Sequence, residues 1–119
     1  MEIVQAEPKK FTDYLPFTEE KAVDEINYLA GELRGKRVAV INATAFGGGV
    51  AEKLSALLPL LRDLGLHVDW WVLQGAREFF EVTKVFHNRL QGQEGSPAEA
   101  EIEIYREYSR LNALSMKDW

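Results

Sequence analysis

The sequence contains no cysteine. That absence removes disulfide frameworks, thiol nucleophiles and cysteine-ligated zinc, and it fits a reducing cytoplasm. Histidine is scarce as well. His67 and His87 are the only two, so a multi-histidine metal site would need carboxylates to complete it. Positive charge is in deficit: fourteen lysines and arginines face nineteen carboxylates, a formal charge of −5. With no basic stripe to neutralise a row of phosphates, nucleic acid is not an expected partner. No apolar run approaches the roughly 18–20 residues that a bilayer helix needs. The opening MEIVQAEPKKF also lacks the apolar core of a signal peptide. These absences set the expectation of a cytoplasmic protein with no membrane partner.

What is present is a globular composition. The chain has 119 residues, 46% hydrophobic and 28% charged, enough for a single domain (1–119) with a core of its own. Ile3 and Val4 favour a short strand within residues 1–6, ended by Pro8 and the lysines after it. An irregular lead-in then runs to about residue 17. Thr18 is the predicted N-cap of a helix whose apolar stripe is Val23, Ile26, Leu29, Ala30 and Leu33, with Gly35 as its stop.

Two βα units follow. The run Val38, Ala39, Val40 and Ile41 predicts a strand over 37–42 that is covered on both faces. Residues 43–48 turn into a helix near 49–64 with Val50, Leu54, Leu57, Leu58 and Leu61 at helical spacing; Pro59 predicts a kink within it. A second strand over 68–73 places Trp70 and Trp71 on opposite faces of the sheet, both as core residues. A third helix near 77–90 carries Phe79, Val82, Val85, Phe86 and Leu90. Ser96-Pro97 is the predicted opening of a last helix, with Ile102, Tyr105, Tyr108 and Leu111 inward and Glu99, Glu101 and Glu103 outward.

Strands alternating with helices predict the α/β class, a partial Rossmann-like half-domain with a small parallel sheet and flanking helices. Two or three strands leave the sheet incomplete, so an open edge is expected to need a cover. A homodimer paired through that edge, an interaction module without catalysis, is one reading of the chain.

The most informative segment is INATAFGGGVAE, residues 41–52. A glycine cluster between a parallel strand and a helix lies at the carboxyl end of the sheet, where open α/β folds bind ligands. Free amides and the positive end of the helix dipole favour an anion there, and glycines let it approach the backbone. A dinucleotide fingerprint beginning at Gly47 would need a small residue where Glu52 stands and a carboxylate near Gln74, so NAD is disfavoured. There is no G-x-x-x-x-G-K-[ST]. Two readings remain: a diphosphate-facing loop, or a tight strand-to-helix turn and no more. Glu52 is expected to offset the helix dipole from the first turn. Thr44 can bond either a sugar hydroxyl or its own turn.

The stretches NATAFGGGVAE (42–52), LPLLRDLG (58–65), WVLQG (71–75) and EFFEVTKVFHNRLQG (78–92) together resemble the N-terminal part of trehalose synthase of the glycosyltransferring type, a retaining GT-B glycosyltransferase. The resemblance covers most of the chain and is tightest over 38–92. It implies two Rossmann-like domains across a cleft, with the N-terminal one holding the acceptor. It also implies transfer of glucose from an NDP-glucose donor to glucose with retention, forming trehalose without a metal.

On this basis Gly47, Gly48 and Gly49, with Thr44, form the expected donor-diphosphate and acceptor loop. Lys84, His87 and Asn88, which match T-K-x-F-H-N, are the acceptor candidates. From spacing alone these three read as a solvated helix face opposite the aromatic stripe. Relatives continue into a second domain that grips the nucleotide. The chain is therefore expected to be an N-terminal fragment, inactive alone, with no catalytic residue of its own and with nucleotide sugar and glucose as partners in the whole enzyme.

Overall fold

A computed structural model describes residues 1–119. The chain forms two compact units, one made of Glu2–Val72 and the other of Leu73–Trp119 together with Met1.

The first unit contains β1 (Glu2–Ile3), a 3₁₀ segment (Phe11–Phe17), α1 (Glu20–Leu33), β2 (Arg37–Asn42), α2 (Gly48–Asp63) and β3 (His67–Val72). The three strands are ordered β1-β3-β2. β2 and β3 run parallel, with Arg37 opposite His67 and Asn42 opposite Val72. This is the expected α/β arrangement. The small first strand differs in direction, since β1 is antiparallel to β3 and pairs Glu2 with Val72 and Ile3 with Trp71. The amide of Val4 extends that pairing to the Trp70 carbonyl at 2.8 Å.

The side-chain period of two sends Val68 and Trp70 to one face of β3 and Trp71 to the other. Val68 and Trp70 pack with Ala51, Leu58 and Leu66 in the buried core, flanked by Val38, Val40, Leu54 and Leu61. Leu58 and Trp70 are each only 1% exposed; burying a side chain such as leucine stabilises a fold by about 1.5–3 kcal/mol. Trp71 is buried as well, and its indole nitrogen has no acceptor.

α2 runs without interruption through Pro59, which is itself buried. Gly35 and Gly65 follow the ends of α1 and α2 with φ of 74° and 97°, the left-handed turn that glycine adopts without a Cβ penalty. Gly35 N–H donates to the Gly65 carbonyl at 3.0 Å and so ties the two helix-to-strand joints together. The 3₁₀ segment is pinned at its start: Lys10 Nζ and the Phe11 amide each donate to the Asp63 carboxylate at 2.8 Å. The paired ammonium, then the Phe11 amide, hold the Asp63 carboxyl below its ordinary value.

The second unit contains α3 (Arg77–Leu90) and α4 (Glu99–Leu114). Phe79, 1% exposed, stacks on Tyr108 with ring centroids 5.1 Å apart, and Phe86 meets Tyr105 at 5.2 Å.

Both helix starts read from serine and threonine differ from expectation. Thr18 does not cap α1; its hydroxyl donates to the Tyr14 carbonyl at 2.8 Å and closes the preceding 3₁₀ segment instead. α4 starts after Ala98, not at Ser96. There the Glu101 carboxylate accepts the Ala98 amide and Arg89 Nη1, both at 2.8 Å, which satisfies the helix start from within the helix.

The apolar stripes are also narrower than their periodicity predicts. Leu29, Leu33, Val50, Leu57, Leu90, Tyr105 and Leu111 are exposed. Leu29, Val50, Leu57 and Leu111 each adjoin a buried residue in sequence and so stand about 100° off the packed line, and Leu33 and Leu90 are the last residues of their helices. The inward position near the end of α4 is Asn112.

Candidate functional site

The parallel pair β2–β3 fixes where the glycine turn emerges. Asn42 ends β2 and its side chain works in two directions. Its Oδ1 accepts the Trp70 indole N–H at 2.6 Å, and its Nδ2 donates to the Thr44 carbonyl at 2.6 Å. Thr44 then braces the next step: its hydroxyl donates to the Phe46 carbonyl at 2.8 Å and accepts the Phe46 amide at 3.1 Å. Of the two roles open to Thr44, the structure shows the bond to its own turn.

The glycines follow. Gly47 is the N-cap of α2 with φ 71°, and Gly48 opens the helix with φ 81°. These are left-handed backbone angles that a β-carbon opposes. All three glycines are exposed, and a Cβ at any of them would meet nothing within 4 Å. Space is therefore not what calls for glycine here; at Gly47 and Gly48 the backbone angle is. The amides at the head of a helix have no partner within it. No residue caps this end with a side chain, and no carboxylate lies in the first turn. Glu52 was expected there, but α2 begins at Gly48 and so leaves Glu52 beyond the first turn. The turn presents bare N–H groups and the positive end of a 16-residue helix, a ready anion cradle.

Beside the turn lies a cleft of about 420 Å³ whose lining includes Gln5, Phe46, Gly47, Glu52, Ser55 and Trp70. Phe46 is 85% exposed. Gln5 and Ser55 adjoin the turn without any sequence signal to announce them, because chain folding alone carries them there.

In the second unit, Lys84, His87 and Asn88 lie along α3 and all three are exposed. They do not behave as one face. His87 lines a groove of about 450 Å³ together with Phe79, Thr83, Phe86, Tyr105 and Ser109; Lys84 and Asn88 do not. Helical rotation explains the split: measured from Phe79, His87 stands about 80° away, Lys84 about 140° and Asn88 about 180°. His87 thus borders the aromatic stripe rather than opposing it. The groove's inner end is held by Asn112, 2% exposed, which exchanges hydrogen bonds with the backbone of Gln74 and donates a further one to the Tyr108 carbonyl. No group of three or more His, Asp or Glu side chains is placed to hold a metal ion. No helix is long and apolar enough to cross a membrane.

Comparison with known proteins adds to this geometry. Residues 40–118 match the family model described as "Trehalose synthase, N-terminal domain". The chain is 47% identical over 110 residues to trehalose synthase of Rubrobacter xylanophilus, an alignment covering 92% of this chain and 26% of that protein. It is 43% identical over 106 residues to trehalose synthase of Pyrococcus horikoshii, covering 88% of this chain and 26% of that protein. A shorter match, 42% over 66 residues, covers 54% of this chain and 9% of trehalose phosphorylase of Pleurotus pulmonarius. The chain thus spans about a quarter of the length of the trehalose synthases it matches.

Proposed function

The chain belongs to the trehalose synthase N-terminal domain family, and from that membership we propose that it is the acceptor-side half of a retaining GT-B glycosyltransferase. The whole enzyme joins glucose from an NDP-glucose donor to free glucose, and its setting is the cytoplasm. One observation carries the reading: the exposed amides of Gly47, Gly48 and Gly49 at the uncapped head of α2.

A leaving diphosphate gains negative charge as the glycosidic bond breaks, and fixed N–H dipoles aimed at that charge lower the barrier without reorganising. In this reading the loop meets the donor phosphates and Thr44 holds the loop's shape. Retention follows from front-face attack, with the departing phosphate taking the acceptor proton. Lys84, His87 and Asn88 are the candidate acceptor contacts. His87 has the strongest claim, since it alone of the three lines a groove with aromatic and hydroxyl side chains. The nucleotide-gripping groups belong to another domain, and this chain does not turn over alone.

Two measurements test this. Titrating the chain with UDP-glucose while recording amide spectra is expected to move Gly47, Gly48 and Gly49 first; shifts that spare all three overturn the loop assignment. Incubating the chain with NDP-glucose and glucose is expected to yield no trehalose, and measurable turnover overturns its inactivity.

The free edge of β2 favours a second reading, in which two copies pair edge to edge and the chain acts as an assembly module. Light scattering behind size exclusion decides it, with a strictly monomeric mass as the refuting result.

A further inference from the structure

A cleft of about 690 Å³ in the first unit lies at the opposite end of the sheet from the glycine turn. It is lined by Gly35, Arg37, Arg62, Gly65, His67 and Asp69, among others. We propose that this cleft binds a small phosphorylated anion, held by Arg37 and Arg62 at the amino end of the parallel strands. Its size falls within the range of small-molecule sites, about 300–1,000 Å³.

Charge is concentrated there against the trend of the chain. Residues 2–72 carry eight lysines and arginines and eleven carboxylates. Arg37 and Arg62 line the cleft, the Arg34 side chain lies 3.5 Å from where a Cβ on Gly65 would stand, and Lys36 separates Gly35 from Arg37. Asp69 is the one carboxylate in the lining. Asp63, at the end of α2, is engaged by Lys10 at 2.8 Å.

A plainer account is that these cations compensate the carboxyl ends of α1 and α2. Two helix ends supply a combined charge of only about −1, and Asp69 adds one more. Arg34, Arg37 and Arg62 exceed that sum by about one charge, which leaves a net positive field for an anion in the cleft.

The geometry of Arg62 is suited to the task. Its Nε donates to the Val68 carbonyl at 2.7 Å, which orients the guanidinium while its two terminal nitrogens remain outside that bond. A planar fork fixed at one corner is the arrangement that recognises phosphate oxygens in pairs. His67 lines the same wall.

The test is an amide-resolved titration of the 119-residue chain, at constant ionic strength, with inorganic phosphate and separately with glycerol 3-phosphate. Saturable shifts at Gly35, Gly65 and His67 are expected, weakened about fivefold or more in Arg37→Gln and in Arg62→Gln, and strengthened in Asp69→Asn. Tighter binding of the ester identifies a phosphate-ester site; equal affinity identifies a site for the phosphate group itself. Shifts in the unaltered chain that grow linearly without saturating overturn the proposal, as does equal affinity in the two arginine variants. Saturable shifts confined to Gly47–Gly49 also overturn it and leave the glycine-loop reading untouched.

Discussion

The indole nitrogen of Trp70 donates to the side-chain oxygen of Asn42 at 2.6 Å. A tryptophan at the centre of the core thereby holds the residue from which the glycine turn departs. Asn42 passes the constraint on to Thr44, and Thr44 to Phe46, so the position of the loop is set by packing behind it.

Asn42→Ala breaks this relay and strands a buried indole N–H. It is expected to lower stability by about 1–3 kcal/mol, read by denaturant unfolding. The intrinsic fluorescence of the folded chain should shift, because Trp70 loses its polar partner. If stability and spectrum both match the unaltered chain, the relay is ornamental.

Asn112 is the counterpart in the second unit. Its side chain donates to the carbonyls of Gln74 and Tyr108 and accepts the Gln74 amide. Asn112→Leu keeps the branched shape and removes all three bonds, with an expected cost of about 1–3 kcal/mol. Amide exchange at Gln74 should accelerate, and unchanged protection there would contradict the latch.

Two glycines separate two reasons for being glycine. A Cβ at Gly75 would lie 2.4–3.1 Å from atoms of Phe79, whose ring is buried and cannot retreat. Gly75→Ala is expected to cost about 1–3 kcal/mol through overpacking. Gly47→Ala meets open space and only a backbone penalty of about 1–2 kcal/mol. Its larger effect should be on donor binding, seen as a weakened UDP-glucose titration.

The pH response of the second unit follows from Glu101. Its carboxyl is held below the ordinary value of 4.5, first by the Arg89 guanidinium and then by the Ala98 amide. A carboxylate with a depressed folded pKa contributes stability that is complete above its unfolded value and lost as pH falls through the folded one. Acid titration from neutrality is therefore expected to leave α3 and α4 intact until pH drops below 4.5. The start of α4 should then loosen, read by amide exchange at Ala98. In Glu101→Gln that acid-dependent step should disappear.

Much of this architecture is written in local pattern. The leucine spacing of α2 and the aromatic spacing of α3 carry the helical period, and the glycine turn announces itself by composition. The apolar runs of β2 and β3 mark strands, although β2 is not covered on both faces as expected, Ile41 being 47% exposed. What stayed hidden depends on partners distant in sequence. Nothing around Asn112 marks it as buried, since a lone amide in a polar helix has no pattern until Gln74 arrives 38 positions away. Thr18 and Ser96 both have the chemistry of a cap, yet one hydroxyl is claimed by Tyr14 and the other lies ahead of a start supplied by Glu101. His87 was legible as a motif residue, but its place beside the aromatic groove needed the helical rotation to be worked out against the packed face.

The two sides of the small sheet are unequally defended. β1 covers β3 for only a few residues, and where it stops, Arg62 plugs the Val68 carbonyl; a two-residue strand is itself too short to template a neighbour. β2, six residues long, is the other end strand of the sheet. Strand addition is therefore favoured on that side, and copies of this chain that meet edge to edge there close into a pair rather than grow into a fibre.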